Sequence, residues 1–304
     1  MSIRGIVLVV ILAIVGGAAV WVGWMVRYRP LTVFAWQTRA ALRTAGLRKV
    51  HVPAPAGDQT VFVGGRGPVV VLLHGAGDNA GTWFKVVPEL IGSHRLIVPD
   101  LAGHGDSAPR RGPIDVADVL GGVEAVLDVV APGQKVVLVG NSLGAWIAML
   151  VAQRHPDRVA MAICVDGGAI RGSNLRARVL PQNRGEARES VEQTRDRTSP
   201  PVPDFVLDDI VRQAREGPLA RFAASAATMD SYVLDETQLR ELRVPVQLIW
   251  GASDRLVPLD YAERMKVQLP HAGLVTLERC GHVPQIECPD RFLAALRTAL
   301  EAAP

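Results

Sequence analysis

The sequence has few of the residues that metal and dinucleotide sites require. Its three cysteines contain no C-x-x-C pair, and its seven histidines contain no H-E-x-x-H pattern, so neither of these zinc-site signatures is present. The glycine-rich stretches at residues 65–67 and 121–122 do not form the G-x-G-x-x-G loop that binds a dinucleotide. We therefore predict no metal ion and no cofactor.

Aromatic residues and excess charge are also scarce. Aromatic side chains make up 5% of the chain, and the formal net charge is only +3. The basic residues, nearly all of them arginine, are dispersed along the sequence. Neither a base-stacking platform nor a basic patch is indicated, so we predict that nucleic acid is not a partner.

Charged residues are missing altogether from residues 5–26, a run of 22 residues. A helix of this length is about 33 Å long, enough to cross a hydrocarbon core of about 30 Å. Trp21 and Trp24 lie near its far end, where interfacial aromatic residues are common. We predict an uncleaved membrane anchor over residues 1–29, with the lipid bilayer as a partner. A cleaved signal peptide is the alternative, although the apolar run continues past a usual signal core.

Basic residues after this run bear on its orientation. Six of them follow, namely Arg27, Arg29, Arg39, Arg43, Arg48 and Lys49. The positive-inside rule then predicts that the following domain is cytoplasmic, although an anchor in the opposite sense stays open. Residues 30–49 form the predicted linker. Within it, residues 32–47 have the pattern of an amphipathic helix that either lies along the lipid surface or packs on the domain.

The most informative motif is the run G-N-S-L-G at residues 140–144, which directly follows the apolar stretch 135–139. This arrangement is typical of a nucleophile elbow, in which a strained turn exposes a serine at the end of a strand. Three other motifs also follow apolar strands: H-G-A-G at residues 74–77, Asp254, and His282. The H-G-A-G run supplies backbone N–H groups that suit an oxyanion hole.

Together with the run D-L-A-G-H-G-D-S at residues 100–107, these motifs stand in the order and spacing of the α/β-hydrolase superfamily. The chain resembles that superfamily over residues 50–303, most of all the branch of carbon-carbon bond hydrolases, esterases and lipases. The resemblance implies an α/β-hydrolase fold over residues 50–304, with a mostly parallel central sheet flanked by helices. It also implies a helical cap inserted at about residues 170–243.

The pattern of apolar segments agrees with this fold. Strand-like and helix-like segments alternate up to about residue 165, which predicts a mostly parallel sheet with its ligand beyond the carboxyl ends of the strands. The alternation stops between residues 170 and 242, where helix-like runs occur at 205–215 and 219–229. Their apolar side chains either pack the cap on the domain or line an acyl pocket; they include Phe205, Leu207, Leu219, Phe222, Met229 and Tyr232.

The resemblance gives each motif an expected role. Ser142 is the expected nucleophile, His282 the general base, and Asp254 the acid that orients the imidazole. The backbone N–H groups of Ala76 and Leu143 are expected to form the oxyanion hole.

Other candidate residues have competing interpretations. Asp166 also follows a strand and is the alternative acid, but the G-x-x-D-x-x-x-P setting of Asp254 favours the latter. His74 and His104 are expected to hold loops through hydrogen bonds, and Cys164 is expected in the core. The other two cysteines, Cys280 and Cys288, flank His282, and the sequence does not determine whether they pair.

The resemblance implies a serine hydrolase with an acyl-enzyme mechanism, acting on a small-molecule ester or acyl substrate that could be lipid-like. Carbon-carbon bond hydrolysis of ring-cleavage-type diketones is the first alternative, and cofactor-free haloperoxidase-like chemistry is another. A catalytically silent binding protein stays open, but the intact Ser142, Asp254 and His282 set argues against it. Epoxide hydrolases and haloalkane dehalogenases are set aside, because the resemblance would require aspartate at the elbow. The oligomeric state is not predicted.

Overall fold

The computed structural model describes residues 3–168, 179–269 and 271–304. One eight-stranded sheet has the order β1-β2-β4-β3-β5-β6-β7-β8. The strands are β1 (Arg48–Val52), β2 (Gln59–Gly64), β3 (Val69–Leu73), β4 (Arg95–Pro99), β5 (Val136–Asn141), β6 (Val159–Val165), β7 (Val246–Gly251) and β8 (Gly273–Leu277). Only β2 pairs in the antiparallel sense, with β1 and β4. The predicted mostly parallel sheet is therefore confirmed.

Helices cover both faces of this sheet. Those within the described residues are α1 (Ile3–Tyr28), α2 (Pro30–Thr44), α3 (Val87–Leu90), α4 (Val116–Val130), α5 (Leu143–Arg154), α6 (Arg184–Thr194), α7 (Asp204–Glu216), α8 (Pro218–Ala223), α9 (Ala226–Met229), α10 (Glu236–Arg240), α11 (Leu259–Gln268), α12 (Pro284–Glu287) and α13 (Pro289–Glu301). Short 3₁₀ turns occur at Ala80–Trp83 and Asp230–Tyr232.

The apolar strands bury side chains on both faces, as strands of a parallel sheet covered by helices must. In β3, Val71 and Leu73 belong to the core that includes α4, α5 and α11. Val70 and Leu72 belong to a second core, which includes residues of α2, α3 and α13. The sheet is thus a rigid layer between two cores, and its edge can hold loops in fixed positions.

One helix among the described residues is long and apolar enough to cross a membrane, over Val10–Tyr28, with a mean hydropathy of 1.9. Only 6% of that window is buried. Its Trp21 stacks on Trp36 of α2, with ring centroids 6.2 Å apart. The apolar surface of α1 is therefore available to a surrounding lipid phase or to another apolar partner.

Helix α2 packs on the domain, which is one of the two alternatives predicted for the amphipathic segment. Thr38 and Leu42 are buried against the domain, whereas Phe34 and Trp36 are 43% and 49% exposed. Pro30 is the first residue of the helix, a position that suits its fixed φ and its missing N–H. The buried face of α2 thus joins the core of the domain.

Helices α6 to α10 lie between β6 and β7, where the cap was predicted. Residues 169–178, which include the predicted start of the cap, lie outside the described residues. The predicted helix over 219–229 is two helices, because a three-residue turn from Ser225 N–H to the Phe222 carbonyl ends α8. Phe222 is buried in the core of the domain and Leu207 is buried as well, whereas Leu219 lines a cavity.

The strand register brings the ends of five strands to one edge. Gly140 in β5 pairs with Leu73 in β3 and with Cys164 in β6, and Gly251 in β7 pairs with Leu277 in β8. The residues that follow these ends include the H-G-A-G run, the elbow, Asp254 and His282, and the D-L-A-G-H-G-D-S run follows β4, which pairs in parallel with β3. The fold therefore gathers them at the same edge.

Candidate active site

Ser142 occupies a sharp turn between β5 and α5. Its φ is 53°, a conformation that costs energy for any residue with a side chain, and its N–H donates to the Val165 carbonyl at 2.9 Å. A Cβ on Gly140 would collide with the Gly144 carbonyl, and one on Gly167 would collide with the Ser142 backbone. Small residues are thus required around Ser142, as the elbow motif predicts.

Asp254 and His282 form a buried hydrogen-bonded pair. Nδ1 of His282 lies 2.7 Å from Oδ2 of Asp254, and the two residues are 5% and 3% exposed. The other carboxylate oxygen of Asp254 accepts the N–H groups of Leu256 at 2.8 Å and Val257 at 2.9 Å. These two bonds fix the carboxylate, so the imidazole is held with Nε2 free for chemistry.

Asn141, the residue before the serine, links the elbow to the histidine loop. Its side-chain NH₂ donates to the backbone carbonyl of His282 at 2.9 Å and to that of Val165 at 3.2 Å. Its side-chain oxygen lies 3.3 Å from the Nε2 donor of Gln285. Residue 141 is a variable position of the G-x-S-x-G motif, so the sequence predicts no role for Asn141.

The loop after β3 lies directly against the elbow. A Cβ on Gly75 would lie 3.3 Å from the Cβ of Ser142, so the backbone of this loop passes close to the serine. Ala76, whose N–H is a predicted oxyanion donor, is partly exposed and lines the adjacent cavity. Leu143, which carries the other predicted donor, is the first residue of α5. The two predicted donors are thus at the elbow and in the loop that touches it.

Two buried histidines hold this loop and the next one. His74 accepts the N–H of Leu101 on Nε2 at 2.9 Å, so Nδ1 carries the proton and donates to the Gly75 carbonyl at 2.8 Å. His104 lies 2.9 Å from the Ala102 carbonyl, and its ring packs edge-on against His74. Burial lowers the pKa of both side chains, that of His104 to about 4, so both are neutral near pH 7.

Asp100 stabilises the 3₁₀ turn that comes after the H-G-A-G loop. Its carboxylate accepts the N–H of Ala80 at 2.8 Å and that of Asp106 at 2.8 Å. Arg39 of α2 reaches the same carboxylate at 2.6 Å and that of Asp106 at 2.6 Å. Burial raises the pKa of Asp100, and the Arg39 charge opposes that rise. A residue next to the predicted anchor therefore neutralises a buried acid of the catalytic domain.

The loop that carries His282 is held by a disulfide and by hydrogen bonds. Cys280 and Cys288 form a disulfide across it. Glu287 accepts the N–H of Gly281 at 2.6 Å, and its other oxygen accepts the N–H of Asp196 in the cap at 2.9 Å. The N–H of His282 itself donates to the cap carbonyl of Thr194 at 2.9 Å. The cap segment after α6 thus holds the histidine loop in place.

A cavity of about 570 Å³ opens beside the H-G-A-G loop. It lies between α2, the cap and residues 76–79, and its apolar lining includes Leu31, Phe34, Trp36, Ile210, Leu219 and Ile286. Asp78 also lines it, and burial raises the pKa of this carboxyl to about 6. An apolar chain would therefore fit between α2 and the cap, with one acid in the cavity wall.

The described residues contain no group of three or more His, Cys, Asp and Glu side chains that could hold a metal ion. The arrangement thus offers a serine in a strained turn and, at the same edge of the sheet, a histidine oriented by a buried carboxylate.

Comparison with known proteins finds one matching family model and relatives with named hydrolase activities. Residues 70–295 match the model of a family described as "Alpha/beta hydrolase family". Pimeloyl-[acyl-carrier protein] methyl ester esterase of Aliivibrio salmonicida is 31% identical, with 78% of this chain and 94% of that protein covered. The 2-hydroxy-6-oxononadienedioate/2-hydroxy-6-oxononatrienedioate hydrolase of Cupriavidus pinatubonensis is 30% identical, with coverage of 73% and 83%.

Among solved structures, a bacterial membrane phospholipase A is similar over almost the whole of both molecules. The TM-score is 0.75 at 25% identity, and the match covers 99% of this chain and 98% of that one. The match therefore includes the N-terminal helices as well as the domain.

Proposed function

The chain belongs to the α/β hydrolase family and is a hydrolase, and from this premise we propose that it is a membrane-anchored serine hydrolase that cleaves carboxylic esters. The observation that carries the proposal is the 2.7 Å hydrogen bond between His282 and Asp254, at the sheet edge where Ser142 has a φ of 53°. Such a serine needs an adjacent base to be nucleophilic near neutral pH, and this pair supplies one.

In the proposed reaction, Oγ of Ser142 attacks the ester carbonyl carbon while Nε2 of His282 takes the hydroxyl proton. The carbonyl oxygen becomes an oxyanion that accepts hydrogen bonds from the N–H groups of Ala76 and Leu143. The alcohol then leaves with the proton from His282, and the acyl group stays on Ser142. Water attacks this acyl-enzyme with His282 as base, which releases the carboxylic acid and restores the serine.

The cavity supports esters with an apolar acyl chain. It runs from α2, beside the predicted anchor, to the H-G-A-G loop, and most of its lining is apolar. Each methylene group buried there would contribute about 0.8 kcal/mol to binding. The similarity to a membrane phospholipase A, with α1 included in the match, adds support for lipid-like esters. The bilayer then provides both the attachment of the enzyme and a source of substrate.

Carbon-carbon bond hydrolysis is the second candidate. The observation behind it is the 30% identical relative that is named 2-hydroxy-6-oxononadienedioate/2-hydroxy-6-oxononatrienedioate hydrolase. A diketone substrate with carboxylate groups would need cationic and hydrogen-bonding side chains around it. Arg39 is the one arginine or lysine in the cavity lining described here, and both Asp100 and Asp106 already pair with it. The lining therefore favours esters.

A fluorophosphonate probe tests the proposal on the full-length protein in detergent. We expect wild type and Ser93→Ala, a matched change in a surface serine, to be labelled, and Ser142→Ala to stay unlabelled. p-Nitrophenyl esters of increasing chain length then measure the acyl preference, which we expect to favour chains longer than acetate. Labelling that persists in Ser142→Ala would remove this serine from the mechanism. A folded wild type that neither labels nor turns over esters would favour a binding role.

The orientation of the anchor needs its own experiment, because two features predict opposite answers. The basic residues that follow α1 predict a cytoplasmic domain. The disulfide between Cys280 and Cys288 favours the outside, since disulfides form and persist in oxidising compartments. A reporter enzyme that is active only outside the cytoplasm, fused after Pro304, distinguishes the two orientations. Reporter activity would contradict the prediction from the basic residues.

A further inference from the structure

A second buried acid stands beside the proposed triad and has no role in the reaction as described. Asp166 follows β6 directly, in a turn with φ of 46°. Its N–H donates to the Ile249 carbonyl at 3.1 Å, and its Oδ1 accepts the N–H of Gly251 at 2.7 Å. The side chain is completely buried. The strained turn therefore holds this carboxyl against Gly251, which ends β7 and lies three residues before Asp254 in the chain.

One oxygen of this acid has no donor. Oδ2 of Asp166 is buried and accepts no hydrogen bond from the described residues. A buried carboxylate with one orphaned oxygen is costly, because it has lost water without replacing it. An un-ionised carboxyl group differs, since a proton on Oδ2 makes that oxygen a donor.

The carboxylate of Asp254 can accept such a proton, because both acids contact Gly251, whose N–H donates to Asp166 and whose carbonyl accepts the N–H of Asp254. That carboxylate receives two backbone N–H groups on Oδ1 and His282 on Oδ2, which leaves room on Oδ2 for one more donor. Burial raises the pKa of Asp166 well above its usual range, and Asp254 raises it further by its charge and by a side-chain hydrogen bond. Glu287 adds a weaker repulsion, and the Tyr261 hydroxyl donates to the Gly168 carbonyl at 2.5 Å.

The count of donors decides which of the two acids keeps the proton. Asp254 has three donors to stabilise a negative charge, whereas Asp166 has one, the N–H of Gly251. Two adjacent buried carboxyl groups rarely ionise together, so the negative charge lies on the one that accepts more hydrogen bonds.

We propose that Asp166 is a neutral carboxylic acid that donates a hydrogen bond from Oδ2 to the Asp254 carboxylate and so positions the Asp254–His282 pair. This role rests on the proposed serine hydrolase function. Asp166 is a positioning residue, because it acts through Asp254 and keeps its proton throughout. The hydrogen bond fixes the Oδ2 side of the Asp254 carboxylate and partly neutralises its negative charge. An ionised Asp166 would instead add a second charge that favours the protonated imidazole.

Asp166→Asn and Asp166→Ala test the proposal as a pair. In the asparagine variant Oδ1 can still accept from Gly251, and the NH₂ group can donate to Asp254. We expect kcat/KM within about threefold of wild type and an acid limb of the pH profile at the same pH. The alanine variant lacks the donor, and we expect kcat to fall about 10- to 100-fold with little change in KM. A shift of the acid limb to lower pH in Asp166→Asn would show that a negative charge had been removed, which overturns the proposal.

Infrared spectroscopy of the full-length protein provides a readout that needs no turnover. At pH 8 we expect wild type to have the C=O band of one un-ionised carboxyl group that Asp166→Asn lacks. If the two spectra do not differ in this band, Asp166 is ionised and the proposal fails. Circular dichroism checks that Asp166→Ala is folded, and the asparagine variant carries the test if it is not. Failure of the serine hydrolase function itself would appear separately, as a wild type without fluorophosphonate labelling.

Discussion

Arg39 and Asp100 are 61 residues apart in the chain, yet the guanidinium of the first lies 2.6 Å from the carboxylate of the second. The Asp100 side chain is completely buried and that of Arg39 is 12% exposed. Because Asp100 also accepts the N–H of Ala80, the pair connects α2 to the turn that follows the H-G-A-G loop. Helix α2 is thus a structural part of the catalytic domain as well as its link to α1.

Replacing Arg39 by methionine should leave a buried carboxylate without its counter-ion. We expect the free energy of unfolding at pH 8 to fall by about 3 kcal/mol or more, as for other broken buried pairs. Burial already raises the folded-state pKa of Asp100, and loss of Arg39 would raise it further. A carboxyl group whose pKa is raised by folding destabilises the folded state as pH rises and the group ionises. The loss of unfolding free energy in Arg39→Met should therefore become smaller at acidic pH, where Asp100 is protonated.

Urea unfolding in detergent at pH 8 and at pH 5 measures this effect. Lys49→Met is the matched control, because Lys49 pairs with the half-exposed carboxylate of Asp106 at 2.8 Å. An exposed pair of this kind contributes about 0–1 kcal/mol. Equal losses for the two variants, or a loss in Arg39→Met that does not depend on pH, would contradict a structural role for the buried pair.

Asp78 gives a second pH-dependent prediction. Burial raises its pKa from 3.8 to about 6, so its ionisation destabilises the folded state. The penalty is absent below about pH 4, grows through pH 6 and is complete above it. We expect Asp78→Asn to be more stable than wild type by about 3 kcal/mol at pH 8 and nearly equal to it at pH 4. Asparagine keeps the oxygen that accepts the N–H of Asn79 at 2.8 Å.

Thermal unfolding across pH 4 to 8 measures the difference, with Asp128→Asn as the control. Asp128 pairs with Arg158 on the surface, where its side chain is 69% exposed, so its replacement should have little effect at any pH. Ester kinetics give a further check, since a charge at the cavity wall disfavours an apolar chain. The KM of wild type for a long-chain ester should rise between pH 5 and pH 7, and that of Asp78→Asn should not.

The sequence motifs predict the ends of strands well, because each motif is local. Ser142 directly follows an apolar strand, Asp254 and His282 come a few residues after one, and parallel strands that end at one edge bring such residues together. The mostly parallel sheet follows from the same alternation of strands and helices. These predictions need no knowledge of which side chains meet.

The contacts that support the site could not be predicted in this way, because they join distant parts of the chain. Asn141 reaches the backbone of His282 across 141 residues, and Glu287 reaches Asp196 across 91. Nothing in the residues around Asn141 or Glu287 indicates these partners. For Asp100 the sequence does contain a signal. An acid that directly follows an apolar buried strand needs a cation nearby, and Arg39 lies on the polar side of the predicted amphipathic helix.

Glu287 should matter for catalysis although it does not touch the nucleophile. One oxygen accepts the N–H of Gly281 beside the histidine, and the other accepts the N–H of Asp196 and the hydroxyl of Ser199. Glutamine has one acceptor oxygen, so Glu287→Gln must turn its NH₂ group toward one of these donors. An unsatisfied donor costs about 1–3 kcal/mol, and we expect the His282 loop to shift.

Steady-state kinetics and fluorophosphonate labelling rates measure the consequence. We expect kcat and the labelling rate of Glu287→Gln to fall about tenfold or more, because His282 is misplaced, while KM changes little. The control is Glu89→Gln, which alters a surface pair with Arg297 at 2.7 Å. A rise in KM at unchanged kcat would instead mean that Glu287 shapes the substrate site through the cap.

The disulfide between Cys280 and Cys288 gives the last prediction, because it encloses the base of the proposed triad. The two cysteines are 8 residues apart, and a cross-link over so short a loop contributes about 2–3 kcal/mol to stability. We expect the double variant Cys280→Ser, Cys288→Ser to lose about that much stability and to label more slowly with fluorophosphonate, since His282 lies inside the loop. Dithiothreitol should produce the same losses in wild type and none in the double variant. Cys164→Ala, which changes the buried free cysteine, should keep the response to reductant. If dithiothreitol changes neither the stability nor the labelling rate of wild type, the cross-link does not hold the histidine loop.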